Sequence, residues 1–165
     1  MSSRKALIGD LIYKIIGRSE KVSFPDFGFV RVPAKIDTGA KTSALWASRV
    51  HESEAGLEFS LFGPSSKLYT GERHVVREFE KIVVASSIGE HQERYKIRAQ
   101  IKVRGKKINS FFTLADRSKQ AYPVLLGRNV LRGKFVVDVK SGRPDIKAEK
   151  KRSSKLQAKL KKGTI

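Results

Sequence analysis

The chain has 165 residues with no cysteine, and its 35 Lys and Arg against 16 Asp and Glu give a formal net charge of +19. This length suits one packed domain with extensions, and the lack of cysteine excludes disulfides, thiolate zinc sites and cysteine nucleophiles. No apolar run approaches the roughly 20 residues that cross a bilayer, and Asp10 and Lys14 interrupt the first apolar stretch, so we expect neither a membrane span nor a cleaved signal peptide. The positive charge favours anionic partners such as nucleic acid, anionic lipid or acidic peptide.

The first apolar segment fits two structures. Its aliphatic residues recur at helical spacing, at Leu7, Ile8, Leu11, Ile12, Ile15 and Ile16. This spacing predicts a short amphipathic helix that ends near Gly17, although a strand beginning near Tyr13 fits nearly as well. In either case we expect residues 1–14 to form an arm that packs on the domain or on a partner subunit, and not on a membrane.

From Lys21 onward, short β-rich runs separated by turn residues indicate an all-β fold. The predicted strands are residues 22–24, 29–36, 57–62, 74–84, 94–103, 108–115 and 134–139. Several short strands within about 115 residues predict a barrel or a sandwich, which we assign to residues 15–140. Residues 141–165 have almost no large apolar side chain and cannot offset their own ordering entropy, so we expect a basic tail that is disordered or conditionally helical.

A candidate catalytic loop follows the predicted strand of residues 29–36. Apolar residues 32–36 lead directly into Asp37, and Thr38-Gly39-Ala40 turn the chain before an extended pattern resumes. Aspartic proteolysis needs a carboxylate that holds water, a small hydroxyl residue that braces the loop, and a glycine that lets another chain approach. We therefore predict Asp37 as catalytic and Thr38, Gly39 and Ala40 as its active-site loop. The tripeptide alone is also common in ordinary turns.

A second motif makes this interpretation more specific. Gly127 comes 127 − 37 = 90 residues after Asp37, at the end of an apolar run that starts at Val124, and Arg128-Asn129-Val130-Leu131 follow it. The run predicts a buried strand, and the residues after Gly127 predict one or two helical turns.

The two motifs together resemble the retropepsin-like aspartic proteases, in which an Asp-Thr-Gly-Ala loop precedes a flap hairpin and an apolar-apolar-Gly-Arg-Asn element. The resemblance implies a small closed β-barrel with a short helix after Gly-Arg-Asn. It also implies that Gly127, Arg128 and Asn129 support the site. The flap would be the hairpin between Val84 and Arg94, with its tip at Ser86, Ser87, Ile88 and Gly89. Because the chain supplies one catalytic loop, an active enzyme would be a homodimer.

A prokaryotic subfamily matches over more of the chain. Residues 16–18, 23–28, 34–45 and 122–135 resemble the proteins commonly labelled "ATP-dependent zinc protease", which are associated with RimK, the ATP-grasp ligase that adds glutamates to a ribosomal protein. This resemblance implies a cytoplasmic peptidase with a RimK-type ligase or the ribosome as partner. Together with the net charge of +19, the association with glutamate addition predicts acidic, glutamate-rich or ribosome-associated peptides as substrates. The residues themselves indicate no cofactor and no metal. No phosphate-binding loop is present, and His51, His74 and His91 lack the spacing of zinc ligands and are expected on strands or at the surface.

One departure from the retropepsin pattern affects the supporting element. Retropepsins often follow the Asp-Thr-Gly-Ala loop with acidic residues that pair with the arginine of Gly-Arg-Asn, whereas this chain has Lys41 and Thr42 there. A buried guanidinium without a partner is costly. We therefore predict that Arg128 either meets another carboxylate, namely Asp26, Glu78 or Asp116, or is exposed to solvent.

Two other functions stay open on the sequence. An inactive barrel could serve as a binding module for RNA, the ribosome or a RimK-type ligase, with the basic tail binding nucleic acid. A nucleic-acid-binding barrel unrelated to proteases would need an aromatic stacking face. The candidates for such a face, Tyr95, Phe111 and Phe112, are expected in the core.

Overall fold

The structure is a computed structural model and describes residues 4–85, 89, 91–142, 151, 154 and 158. The strands are β1 (Lys5–Ile8), β2 (Leu11–Ile16), β3 (Ser19–Phe24), β4 (Phe29–Ile36), β5 (Ser43–Ser53), β6 (Gly56–Leu61), β7 (His74–Val76), β8 (Phe79–Ala85), β9 (His91–Val103), β10 (Lys106–Ala115), β11 (Val124–Leu126) and β12 (Phe135–Val137). A 3₁₀ turn covers Pro25–Phe27, and one α-helical turn, α1, covers Arg128–Leu131. The all-β prediction is confirmed, together with the short helix directly after Gly127.

Six of the strands close into a barrel. Their order is β10, β9, β3, β4, β11 and β5, and β5 pairs in parallel with β10 to complete the circle. Strand β11 lies parallel to β4 on one side and antiparallel to β5 on the other, with Val124 opposite both Ala34 and Leu45. The predicted closed barrel is therefore confirmed, and β11 is inserted between the strands that enter and leave the Asp37 loop.

Alternation along the strands fills the barrel interior. In β9, residues Ile97, Ala99, Ile101 and Val103 are buried, and in β10 Phe112 is fully buried against Phe24 with ring centroids 5.4 Å apart. Because successive side chains point to opposite faces of a strand, Phe111 lies on the outer face and is 44% exposed. The expectation that Phe111 belongs to the core is therefore wrong.

The N-terminal segment is a hairpin, so the predicted helix is wrong. Ile8 pairs with Leu11 across a two-residue turn at Gly9-Asp10, and Gly9 has a φ of +58°. Strand β2 also pairs in parallel with β12, so that β1, β2 and β12 form a separate three-stranded sheet. The aliphatic side chains near the turn, at Leu7, Ile8, Leu11 and Ile12, are each more than half exposed.

Strands β8 and β9 form the hairpin in which the flap is predicted, with Ala85 opposite His91. Of the predicted tip, Ser86, Ser87 and Ile88 lie outside the described residues, and Gly89 has a φ of +81°. Most of the predicted tail, residues 141–165, is outside them as well. Within the described ranges, no helix is long and apolar enough to span a membrane.

Candidate active site

Asp37 lies at the start of the loop that leaves β4, and neighbouring backbone fixes its position. Its N–H donates to the carbonyl of Leu126 in β11 at 2.9 Å. Its Oδ1 accepts hydrogen bonds from the N–H groups of Gly39 at 3.0 Å and Ala40 at 3.2 Å. The Asp37 side chain is half-buried, whereas Thr38 and Gly39 are exposed. The loop thus holds the carboxylate in one orientation and leaves its own tip open to solvent.

Gly127 brings β11 into direct contact with the far side of this loop. A Cβ atom at this position would lie 2.8 Å from the carbonyl oxygen of Ala40 and 2.9 Å from the carbonyl of Thr42, closer than real Cβ contacts. The next residue, Arg128, donates its N–H to the Ala40 carbonyl at 2.8 Å. The sequence therefore needs glycine here because two backbone segments pack without space for a side chain.

Arg128 is exposed, which is one of the two outcomes that the sequence predicts. Its Nη1 donates to the carbonyls of Thr38 at 3.1 Å and Gly39 at 2.7 Å, and no carboxylate among the described residues pairs with it. Two of the expected carboxylates are bound elsewhere, since Asp26 accepts the Gln100 N–H and Asp116 accepts the Ser118 N–H. Arg128 therefore braces the tip of the loop through backbone carbonyls.

Asn129 ties the loop to the barrel through four hydrogen bonds. Its Oδ1 accepts from the N–H of Ser43 at 2.9 Å and from the Ser43 hydroxyl at 2.8 Å. Its Nδ2 donates to Ser110 Oγ at 2.9 Å and to the Phe111 carbonyl at 2.8 Å. The buried Ser43 Oγ in turn accepts the N–H of Gly127 at 3.0 Å. Ser43 is a supporting residue that the sequence does not reveal, because its role depends on the position of β11 beside β5.

The predicted flap hairpin is anchored at its base. Lys81 of β8 lies 2.6 Å from Glu52 of β5, and the Tyr95 hydroxyl of β9 donates to the same carboxylate at 2.9 Å. The hydrogen bond from Lys81 lowers the pKa of Glu52, and the same bond raises the pKa of Lys81. This cluster links the hairpin to the strand that leaves the Asp37 loop.

The three histidines lie in three different strands, His51 in β5, His74 in β7 and His91 in β9. His51 Nε2 is 3.5 Å from Glu58. His74 packs against the rings of Phe27 and Phe59, and burial lowers its pKa below the usual 6.5. In the part of the chain that the structure describes, no group of three or more His, Asp or Glu side chains could hold a metal ion.

Comparison with known proteins assigns the barrel to a family. The model of the RimB-like family, described as retropepsin-like aspartic endopeptidase RimB, matches residues 15–148. A probable alpha-L-glutamate ligase of Desulfotalea psychrophila is 30% identical over 133 residues, which cover 78% of this chain and 29% of that protein. A protein of the same name from Shewanella pealeana is 31% identical over 132 residues, covering 75% and 28%. The chain thus spans less than a third of the length of these relatives.

A solved structure has the same fold. The crystal structure of Lpg0085, a Legionella pneumophila protein of unknown function (DUF785), is 27% identical in sequence and matches with a TM-score of 0.58. The match covers 77% of this chain and 94% of that one.

Proposed function

The chain belongs to the RimB-like family of retropepsin-like aspartic endopeptidases, and we propose that it is an aspartic endopeptidase that acts as a homodimer through paired Asp37 carboxylates. The observation that carries this proposal is the Asp37 loop itself. Two loop N–H groups orient the carboxylate, as they would in an ordinary Asx turn. Beyond such a turn, Gly127 packs against the loop backbone and Arg128 donates to the carbonyls of its tip.

The proposed chemistry needs a second carboxylate, which a second copy would supply across a twofold axis. Two carboxylates about 3 Å apart share one proton, because both cannot ionise readily. The ionised Asp37 takes a proton from a bound water as the water oxygen attacks the peptide carbonyl, and the protonated Asp37 of the other copy gives its proton to the carbonyl oxygen. The first Asp37 then gives the proton it took from water to the leaving nitrogen, and the Asp37 of the other copy takes a proton back from a hydroxyl of the tetrahedral intermediate. The C–N bond breaks, which leaves a carboxylic acid and an amine and returns the pair to its starting protonation. The pKa values of such a pair belong to both residues together.

The exposure of the loop supports pairing with a second copy. Thr38 and Gly39 are both exposed at the loop tip, and Gly39 has no side chain that would keep another loop away. The Thr38 hydroxyl would then brace the two loops across the axis. The hairpin of β8 and β9 would close over the peptide and exclude water.

We propose acidic, glutamate-rich peptides as substrates. The chain carries a net charge of +19, which raises the local concentration of polyanions. Lys41, directly after the catalytic loop, is exposed and has no ion pair among the described residues. The relatives that contain a similar stretch are named probable alpha-L-glutamate ligases, and this name supports a substrate that contains glutamate.

The test compares the full chain with its Asp37→Asn variant on an oligoglutamate peptide and an oligoglutamine peptide of equal length, with products followed by mass spectrometry from pH 4 to 8. We expect cleavage of the glutamate peptide by the wild type, and a loss of at least about a hundredfold in the variant, since positioned acid–base groups contribute about 10² to 10⁴ in rate. Equal cleavage by both proteins would remove Asp37 from the mechanism. Sedimentation of the active sample tests the dimer, because an active monomer would contradict it.

The substrate preference has its own matched variants. Lys41→Gln and Lys35→Gln remove the same charge from exposed lysines, one beside the loop and one on the outer side of β4. Because an exposed ion pair contributes at most about 1 kcal/mol, we expect Lys41→Gln to raise KM for the glutamate peptide about fivefold, with Lys35→Gln nearly unchanged. Cleavage that is insensitive to salt and equal for both peptides would refute the acidic preference.

A second candidate function is a binding module without turnover. It is favoured by the length of the relatives, in which a similar stretch is less than a third of a protein named as a ligase. In that case the barrel would bind RNA, the ribosome or a RimK-type ligase. Retention of binding to such a partner by Asp37→Asn, together with no cleavage by the wild type under any condition, would favour this alternative.

A further inference from the structure

The outer face of β9 and β10 carries a group of cations with few counterions. Three cross-strand pairs lie side by side there, and we call them the basic face: Arg98 with Phe111, Gln100 with Asn109, and Lys102 with Lys107. Same-face neighbours along a strand are about 6.6 Å apart, so the cations form a row and not a single point. Arg98, Lys102 and Lys107 are exposed, and none has an ion pair within the described ranges.

The pairing of Lys102 with Lys107 costs the fold stability. Like charges directly opposite each other on neighbouring strands are destabilising. Two carboxylates lie beside this face: Glu80 is paired with Lys96 at 2.6 Å, and Asp26, which accepts the Gln100 N–H at 2.8 Å, is one negative charge against three cations without an ion pair. The positive charge is therefore left for a ligand from outside the chain.

The exposed side chain of Phe111 favours one class of anionic ligand over the others. The residue is 44% exposed on the outer face of β10, and Lys96 Nζ lies 4.9 Å from the centroid of its ring. An exposed aromatic ring between cations suits a base that stacks while its phosphates meet the positive charges. Gln100 Nε2 donates one hydrogen bond of 3.4 Å to Asn109 Oδ1. Gln100 Oε1 and Asn109 Nδ2 then have no partner among the described residues, and they could accept from and donate to the edges of bases.

We propose that the basic face binds single-stranded nucleic acid, with Arg98, Lys102 and Lys107 on phosphates and Phe111 stacked on a base. An acidic polypeptide would satisfy the cations but gains nothing specific from Phe111. The face is built on the outer side of the barrel strands, by residues other than those of the Asp37 loop. Binding there does not depend on the proposed peptidase activity.

The test measures binding of a fluorescein-labelled 15-nucleotide oligouridylate RNA to the full chain by anisotropy at several salt concentrations. The first variant is Arg98→Gln/Lys102→Gln/Lys107→Gln. Its matched control, Lys67→Gln/Arg77→Gln/Arg132→Gln, removes the same charge from exposed residues elsewhere and keeps the same basic tail. Each phosphate contact on a single strand contributes about 0.7 to the slope of log K against log salt. We expect the first variant to lower that slope by about 2 and to weaken binding roughly a hundredfold at about 0.1 M salt, and the control to change neither appreciably.

Phe111→Leu separates stacking from charge. We expect it to weaken binding about tenfold without changing the salt slope, since base stacking on an aromatic ring contributes about 1 to 3 kcal/mol. Equal losses in the two triple variants would overturn the proposal, because binding would then follow net charge alone. Tighter binding of an oligoglutamate of equal charge, with no effect of Phe111→Leu, would also overturn it and assign the face to acidic peptides. Asp37→Asn should bind the RNA as the wild type does.

Discussion

Replacing Asn129 with alanine should detach the Asp37 loop from the strand that supports it. The change removes four hydrogen bonds, two to Ser43 and one each to Ser110 and Phe111. A typical hydrogen bond contributes about 1 kcal/mol net, and the one to the Phe111 carbonyl lies near the surface and counts for less. We therefore expect Asn129→Ala to lower the free energy of unfolding by about 3 kcal/mol, a large part of the 5 to 15 kcal/mol typical of a domain.

Urea denaturation followed by Trp46 fluorescence measures this loss. The matched control is Asn109→Ala, because Asn109 lies exposed on the same strand as Ser110 and makes one long hydrogen bond of 3.4 Å. That control should change stability by less than about 0.5 kcal/mol. Ser43→Ala alone should cost about 2 kcal/mol, as the hydroxyl makes two of the bonds in the network. The double variant should lose less than the sum, because the two residues share a bond.

Two results would refute this account. If Asn129→Ala destabilises the protein no more than Asn109→Ala, the network does not hold the loop. If the effects of Asn129→Ala and Ser43→Ala simply add, the residues act independently and the contacts between them carry no energy.

Two further predictions concern other parts of the barrel. Gly127→Ala should abolish peptide cleavage and lower the melting temperature, because the added Cβ meets backbone at 2.8 Å; wild-type behaviour in both assays would contradict the close packing. Burial lowers the pKa of His74, with Glu72 partly opposing it, so the unfolded chain binds the proton more readily. The stabilisation is present above pH 6.5 and is lost as the pH falls below it. The free energy of unfolding, measured from pH 8 to 5, should therefore fall more steeply in the wild type than in His74→Leu. Parallel curves would show that His74 does not contribute to the pH dependence.

The motifs that specify the barrel and the loop are local, and so the sequence predicts them well. The apolar strand before Asp37 ends at a residue whose carboxylate accepts the N–H groups of the loop. The apolar strand before Gly127 ends at a residue that must lack a side chain because the loop backbone packs against it. Alternation along β9 and β10 indicates strands with one buried face without any knowledge of their partners. For Arg128 the sequence leaves two outcomes, another carboxylate partner or exposure to solvent, and the structure shows the second.

The sequence predictions fail where the outcome depends on which strands pair, or on which face of a strand a residue lies. The aliphatic residues near the N-terminus fit a helical period, yet Gly9-Asp10 is a two-residue turn signal that favours a hairpin, and pairing with β12 completes the sheet. Phe111 differs from Phe112 only in the face on which it lies, and that face depends on the register of β10. Ser43 acquires its role only when β11 is placed between β4 and β5.

The hairpin of β1 and β2 also determines how the protein behaves as a solute. Leu7 and Ile12 lie opposite each other on one face of the hairpin, and Ile8 and Leu11 lie opposite each other on the other face. The tip therefore exposes apolar surface on both faces. The charge of +19 keeps copies apart in dilute buffer. Salt shortens the reach of that repulsion to about 8 Å at 0.15 M, while sulfate strengthens apolar attraction. We therefore expect higher ionic strength to favour further association of copies through the tip of this hairpin, beyond the proposed dimer.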